Sequence, residues 1–246
     1  MRSLGVDAII LKRRNLGEFD QNITLFSPVL GKIQASARGA RRVSSSMAGH
    51  LEPLNICRLE LHRSGRGYTI TQCQARKTFR PLRENLQKSM FSLLILEVFQ
   101  KSTHEQGQGQ ELYSLIERTL DNLSAGTKYP LIIESFKIKL LQLLGVLPDC
   151  GHCSLCRKRW TGDNFVFLDG EGHFCCTDCD NPLKTGKNIP FGIIRLINFI
   201  CQRDFPEILQ VTLQPKEYES LRKISSSFIE RYLDREIMAE KIINRV

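Results

Sequence analysis

Residues 150–179 read CGHCSLCRKRWTGDNFVFLDGEGHFCCTDC, and six of the chain's nine cysteines fall inside this stretch. Two Cys-x-x-Cys pairs stand out, Cys153 with Cys156 and Cys176 with Cys179, with nineteen residues between the inner members. That spacing fits a four-cysteine zinc ribbon, in which each pair sits on a tight knuckle and offers two thiolates to one tetrahedral ion. Between the pairs lie apolar segments at 165–168 and 172–175, separated by an Asp-Gly-Glu-Gly run, which is the pattern of a short hairpin. One structural Zn2+ is therefore expected on Cys153, Cys156, Cys176 and Cys179.

The stretch also holds more ligands than one ion needs. Cys150 forms a second Cys-x-x-Cys with Cys153, Cys175 abuts Cys176, and His152 and His173 are close by. The chosen four are the symmetric set, because each pair then closes its own knuckle, and strand alternation turns Cys175 away from Cys176. A disulfide framework is the competing use of these cysteines. It is disfavoured because no secretion signal is read at the start, and Cys57, Cys73 and Cys201 sit in apolar runs as small core residues. A catalytic zinc would need an open coordination position and a nearby base, and only Glu171 is at hand.

Charge divides the chain unevenly. Residues 1–82 contain fourteen Lys and Arg against five Asp and Glu, a balance of +9 that equals the net charge of all 246 residues. The other two thirds are neutral. Such concentration is the footprint of a domain that binds a polyanion. No apolar run approaches the roughly 20 residues of a membrane-crossing helix, so a cytoplasmic protein is expected.

The basic third reads as strands. Segments at 6–11, 22–26, 32–38, 56–61 and 68–73 show strand composition or alternation, with turn residues between them. Five short strands in about eighty residues imply a small closed barrel, and the OB-fold is the five-stranded form that binds single strands. Between the third and fourth strands comes a polar loop, 38–46, carrying Arg38, Arg41 and Arg42 beside Gly39 and three serines. Arginine forks match phosphate oxygens, and small neighbours let the backbone approach. Arg13, Arg14, Lys32, Arg63 and Arg66 extend the same expected nucleic-acid track. Phe19, Phe26 and Tyr68 are the aromatics available for base stacking, with Phe26 expected inside the barrel.

Beyond residue 82 the apolar period changes from two to 3.6. Helices are expected near 84–103, 112–123, 131–144, 190–200 and 215–233, and the third is apolar on most sides and so central. The expected fold class is α+β: an OB-fold at 1–80, then a helical domain at 81–246 with a zinc ribbon inserted at 150–180.

This order of features resembles the bacterial RecO family. The matching stretches are Ile10 to Arg13 with Gly17 to Asp20, then Ala37 to Arg41. Further on come Leu141 to Pro148 followed by Cys153 and Cys156, and the ribbon's second half from Gly172 to Cys179. The surplus Cys150 and Cys175 depart from that pattern. The resemblance implies a non-enzymatic recombination mediator in DNA repair, cytoplasmic and nucleoid-associated. It implies binding of single- and double-stranded DNA, annealing of complementary strands, and action with RecR to load RecA onto DNA coated by single-strand-binding protein. The competing class is a zinc-ribbon OB-fold protein that binds RNA or serves transcription, since no residue here reports on a 2′-hydroxyl. A zinc-dependent hydrolase is the third reading, and the basic third offers only five dispersed carboxylates for it.

Overall fold

The computed structural model describes residues 3–65, 67–104, 109–159, 165–168, 172–180, 187–234, 237 and 239. The chain divides into two compact units, residues 1–125 with 239–246, and residues 126–238.

In the first unit, β1 (Ser3–Leu16), β2 (Asp20–Ser27), β3 (Gly31–Ala37), β4 (Ile56–Ser64) and β5 (Gly67–Lys77) close a barrel in the order β1-β2-β3-β5-β4. All pairings are antiparallel except β3 with β5, which run parallel and meet only at Ala35 with Tyr68 and Ser36 with Thr69. Alternating residues such as Ala8, Ile10, Ile23, Leu25, Leu59 and Leu61 fill the interior. Ile10 continues the inward set of Val6 and Ala8, and the register of β1 on β2 shifts just after it, between Ile10 and Lys12, where Leu11 is also buried.

The same period of two decides Phe26. Its neighbour Leu25 points inward, so Phe26 lies outside the barrel, edge-on to Phe99 with ring centroids 4.9 Å apart. The expectation of a barrel-core Phe26 is corrected on this point. Phe99 belongs to α2 (Leu86–Ser102), which follows α1 (Arg80–Glu84) and precedes α3 (Gln110–Ala125). These three helices thus belong to the same compact unit as the barrel.

The second unit is built on α4 (Tyr129–Leu143), whose residues from Leu131 to Ile138 are all buried. Pro130 opens it, and Gly145 at φ +69° closes it. There the N–H of Gly145 reaches the Gln142 carbonyl and that of Val146 reaches the Leu141 carbonyl, the paired bonds of a Schellman ending. A helix buried all round must satisfy its own ionic groups. Glu134 and Lys137 pair at 3.2 Å with side chains 2% and 1% exposed, and Ser225 and Ser226 complete the network.

Next comes the ribbon, with β6 (Phe165–Leu168), β7 (His173–Cys176), the short α5 (Thr177–Asp180) and β8 (Lys187–Asn188), in sheet order β7-β6-β8. The expected turn at 169–171 lies outside the described residues. The unit is completed by α6 (Phe191–Gln202), α7 (Phe205–Ile208) and α8 (Pro215–Leu233). Phe167 and Phe174 of the ribbon both meet Phe228 of α8, at 5.4 and 6.0 Å between centroids. No helix among the described residues is long and apolar enough to cross a membrane.

Candidate metal centre and nucleic-acid interface

The sulfurs of Cys153, Cys156, Cys176 and Cys179 all lie within 4.8 Å of one another. Backbone geometry brings them together. The Arg157 N–H closes the first knuckle onto the Cys153 carbonyl at 2.9 Å, with Arg157 in the left-handed region at φ +64°. Ser154 joins that knuckle to β7, its N–H and hydroxyl both donating to the Phe174 carbonyl at 2.9 and 2.7 Å. The second pair spans the end of β7 and α5.

Four thiolates at about 2.3 Å from a tetrahedral ion stand about 3.8 Å apart. The Cys156 and Cys176 sulfurs are 3.7 Å apart, so the donor set fits such an ion. The surplus cysteines are placed elsewhere. Cys150 is buried with its thiol directed to the Pro148 carbonyl, and burial raises its pKa. Cys175 is fully buried on β7 and outside the four-sulfur group. His152 pairs with Asp149 at 3.1 Å.

Electrostatics single out Cys153. Burial acts to raise its thiol pKa, but N–H groups of Cys156, Cys176 and Leu155 aimed at the sulfur outweigh it and bring the value to about 6. The Cys156 and Cys176 amides lie 3.4 and 3.3 Å from that sulfur. Cys179 is pushed the other way, to about 12, by its hydrogen bond with Cys176 and by burial. Among these sulfurs the backbone thus favours the thiolate at Cys153.

On the barrel, the segment Arg38, Gly39, Ala40, Arg41 has a different task for each residue. Arg38 is exposed. Gly39 sits at φ +64°, which lets its N–H reach Asp20 Oδ1 at 2.8 Å. Ala40 is 1% exposed and joins the barrel core. The Arg41 N–H donates to the Phe19 carbonyl at 2.9 Å, and its guanidinium donates to the carbonyls of Gly17 at 3.2 Å and Glu18 at 2.9 Å. The loop is thus laced to the β1–β2 turn. Arg42 follows, its guanidinium 5.2 Å from the centre of the exposed Phe19 ring.

The remaining cations of the expected track separate into two groups. Arg14 is exposed on β1, and Arg63 lies 5.8 Å from the Tyr68 ring centre. Arg13 is paired with Glu52. Lys32 is turned away from any such track, because its ammonium donates to the carbonyls of Gln100, at 2.8 Å, and Thr103 at the C-terminal end of α2. A cation there meets the negative end of the helix dipole. Arg66 lies outside the described residues.

Two family models match the chain, "Recombination protein O N terminal" over residues 1–79 and "Recombination protein O C terminal" over residues 83–241. Similar curated proteins carry the name "DNA repair protein RecO". The one from Alkaliphilus metalliredigens is 27% identical over 230 residues, covering 93% of each chain. That from a Thermoanaerobacter species is 27% identical over 248 residues, 100% of this chain and 99% of its own. That from Desulforamulus reducens is 25% identical over 246 residues, 100% and 96%. With both family models together spanning nearly its whole length, this chain belongs to the RecO family.

Proposed function

We propose that the chain is a recombination mediator in DNA repair, without turnover of its own. It binds single- and double-stranded DNA on the barrel and anneals complementary strands. With RecR it helps RecA load onto DNA coated by single-strand-binding protein. The observation that carries the reading is the confinement of the whole +9 charge to residues 1–82 in a chain of this family. The phosphate contacts are Arg14, Arg38, Arg42 and Arg63, which are exposed, while Arg13, Arg41 and Lys32 hold the barrel and its loops together.

What supports the absence of turnover is how four of the barrel's five carboxylates are used. Asp7 pairs with Arg58 and Arg76, Asp20 accepts from Gly39, Glu52 pairs with Arg13, and Glu60 accepts from Ser3. A metal-dependent nuclease would need such groups clustered and free to bind ions. In the ribbon, a zinc held by four thiolates has no open position, so its role is to cross-link the two knuckles.

The test is strand annealing with labelled complementary DNA, with and without magnesium and with an RNA competitor. Annealing that needs no magnesium and no nucleotide, with DNA left intact, is the expected result. Preferential capture by RNA would favour the transcription-associated class instead.

A further inference from the structure

The β1–β2 turn presents an aromatic ring to solvent on a backbone that is pinned from two sides. Phe19 is 42% exposed and Leu16, three residues earlier, is 54% exposed. The Phe19 carbonyl accepts from the Arg41 N–H, the Gly17 and Glu18 carbonyls accept from the Arg41 guanidinium, and Asp20 accepts from Gly39. Every residue of the turn is thereby fixed to the β3–β4 loop. Arg42 lies over the ring at 5.2 Å, and the exposed Arg38 is four residues before it. Tyr68, the other barrel ring with an arginine over it, differs because it is packed against the barrel core.

A rigid turn that holds an aromatic side chain in water beside cations has the chemistry of a base-stacking platform. A nucleobase offers a π-face of any sequence, and the adjoining phosphate offers charge to arginine. A paired base keeps both faces within its stack, so only an unpaired base can use the ring.

We propose that Phe19 stacks on an unpaired base of single-stranded DNA while Arg42 and Arg38 hold the neighbouring phosphates, so that this turn separates single strands from duplex. The inference rests on the DNA-binding reading above and adds to it the feature that is read. Arg41 acts here as a positioning residue, since it holds the turn and not the strand.

The experiment measures affinity for a single-stranded oligonucleotide and for the same sequence as a duplex, using the full chain and the variants Phe19→Ala, Phe19→Leu and Phe19→Trp. Loss of one stacked base should weaken single-strand binding by about tenfold or more, with duplex affinity within about twofold and the salt slope unchanged. Phe19→Leu keeps apolar bulk without a π-face and should behave like Phe19→Ala, while Phe19→Trp should bind as well as the wild type. With 2-aminopurine stepped along the strand, one position should be quenched by the wild type and released in Phe19→Leu. Thermal melts accompany each variant, and Phe19→Leu and Phe19→Trp serve if Phe19→Ala does not fold. Unchanged single-strand affinity in folded Phe19→Leu overturns the inference, as does equal loss on both DNAs. Failure of the wild type itself to bind DNA would instead overturn the function proposed above.

Discussion

The backbone amide of Cys176 stands 3.3 Å from the sulfur of Cys153, so the second knuckle donates a hydrogen bond to the first thiolate of the ribbon. The two halves of the site are thus coupled through the backbone before any ion bridges them. Purified protein should carry about one zinc per chain, since structural zinc supplies folding free energy directly. Replacing Cys153, Cys156, Cys176 or Cys179 with Ser should abolish or sharply weaken retention. Cys150→Ser should keep the metal. Metal analysis after exhaustive dialysis under reducing conditions decides it, and loss in Cys150→Ser but not in Cys153→Ser would refute the ligand set.

The sign of the pH dependence follows from Cys153. Its thiol is depressed from 9.0 to about 6, so the fold favours the thiolate. That contribution is complete above pH 9 and is lost as pH falls through about 6. Cys176 and Cys179 are raised instead and must lose protons to bind. Zinc uptake by stripped protein should therefore weaken as pH falls, and most steeply below about 6, where Cys153 protonates as well. A chromophoric chelator competition run across this range measures it, and uptake independent of pH between 5 and 8 would contradict the assignment.

Arginines of the barrel should separate by what they touch. Arg38 and Arg42 are exposed, and their joint replacement by Ala should flatten the slope of log affinity against log salt by about 1.4–1.8, at about 0.7–0.9 per contact. The melting temperature should hardly move. Arg41→Ala removes bonds to the Gly17 and Glu18 carbonyls, so it should lower stability by about 1 kcal/mol per bond lost at most. Salt titrations of DNA binding beside thermal melts distinguish the two classes.

Lys32 gives a related expectation. Lys32→Met removes a cation from the last carbonyls of α2 and should cost about 1–2 kcal/mol in denaturant unfolding. Its effect on the salt slope should be close to zero. A lost phosphate contact with intact stability would return Lys32 to the DNA track.

Within α4, Glu134 and Lys137 are buried and paired, and Ser225 and Ser226 donate or accept at the same place. Removing one charge should strand the other. Lys137→Met should therefore destabilise by about 3–5 kcal/mol, whereas the double change Lys137→Met with Glu134→Leu should recover most of that loss. Urea unfolding of the two variants is the measurement.

Local features were legible in the sequence for physical reasons. The Cys-x-x-Cys spacing defines the ligand group because each knuckle is closed by its own backbone, at Cys153 to Arg157 and again around Cys176. Gly145 announced the end of α4 because only a residue at ease with positive φ makes that ending. Phe26 lies outside the barrel by the same alternation, since Leu25 beside it points inward. What stayed hidden depends on partners far along the chain. Lys32 and Arg13 read as phosphate contacts because nothing local shows that the Gln100 carbonyl, 68 residues on, meets Lys32, or that Glu52 meets Arg13. Arg41 looked like its neighbours Arg38 and Arg42, and only the folded turn shows that its guanidinium is spent on carbonyls.

The barrel's parallel seam makes it a clasp more than a tube. β4 and β5 are paired along nearly their whole length, but β3 and β5 meet only from Ala35 to Ser36 and from Tyr68 to Thr69. Opening should start there, with amide exchange fastest on the seam and slowest where β1 is held between β2 and β4. The arginine loop leaves from the end of β3, which is itself one side of that clasp. Loosening the clasp would part β3 from β5 while β3, the arginine loop and the β1–β2 turn it is laced to stay together. The ring would then open as a hinged strip without its walls unfolding.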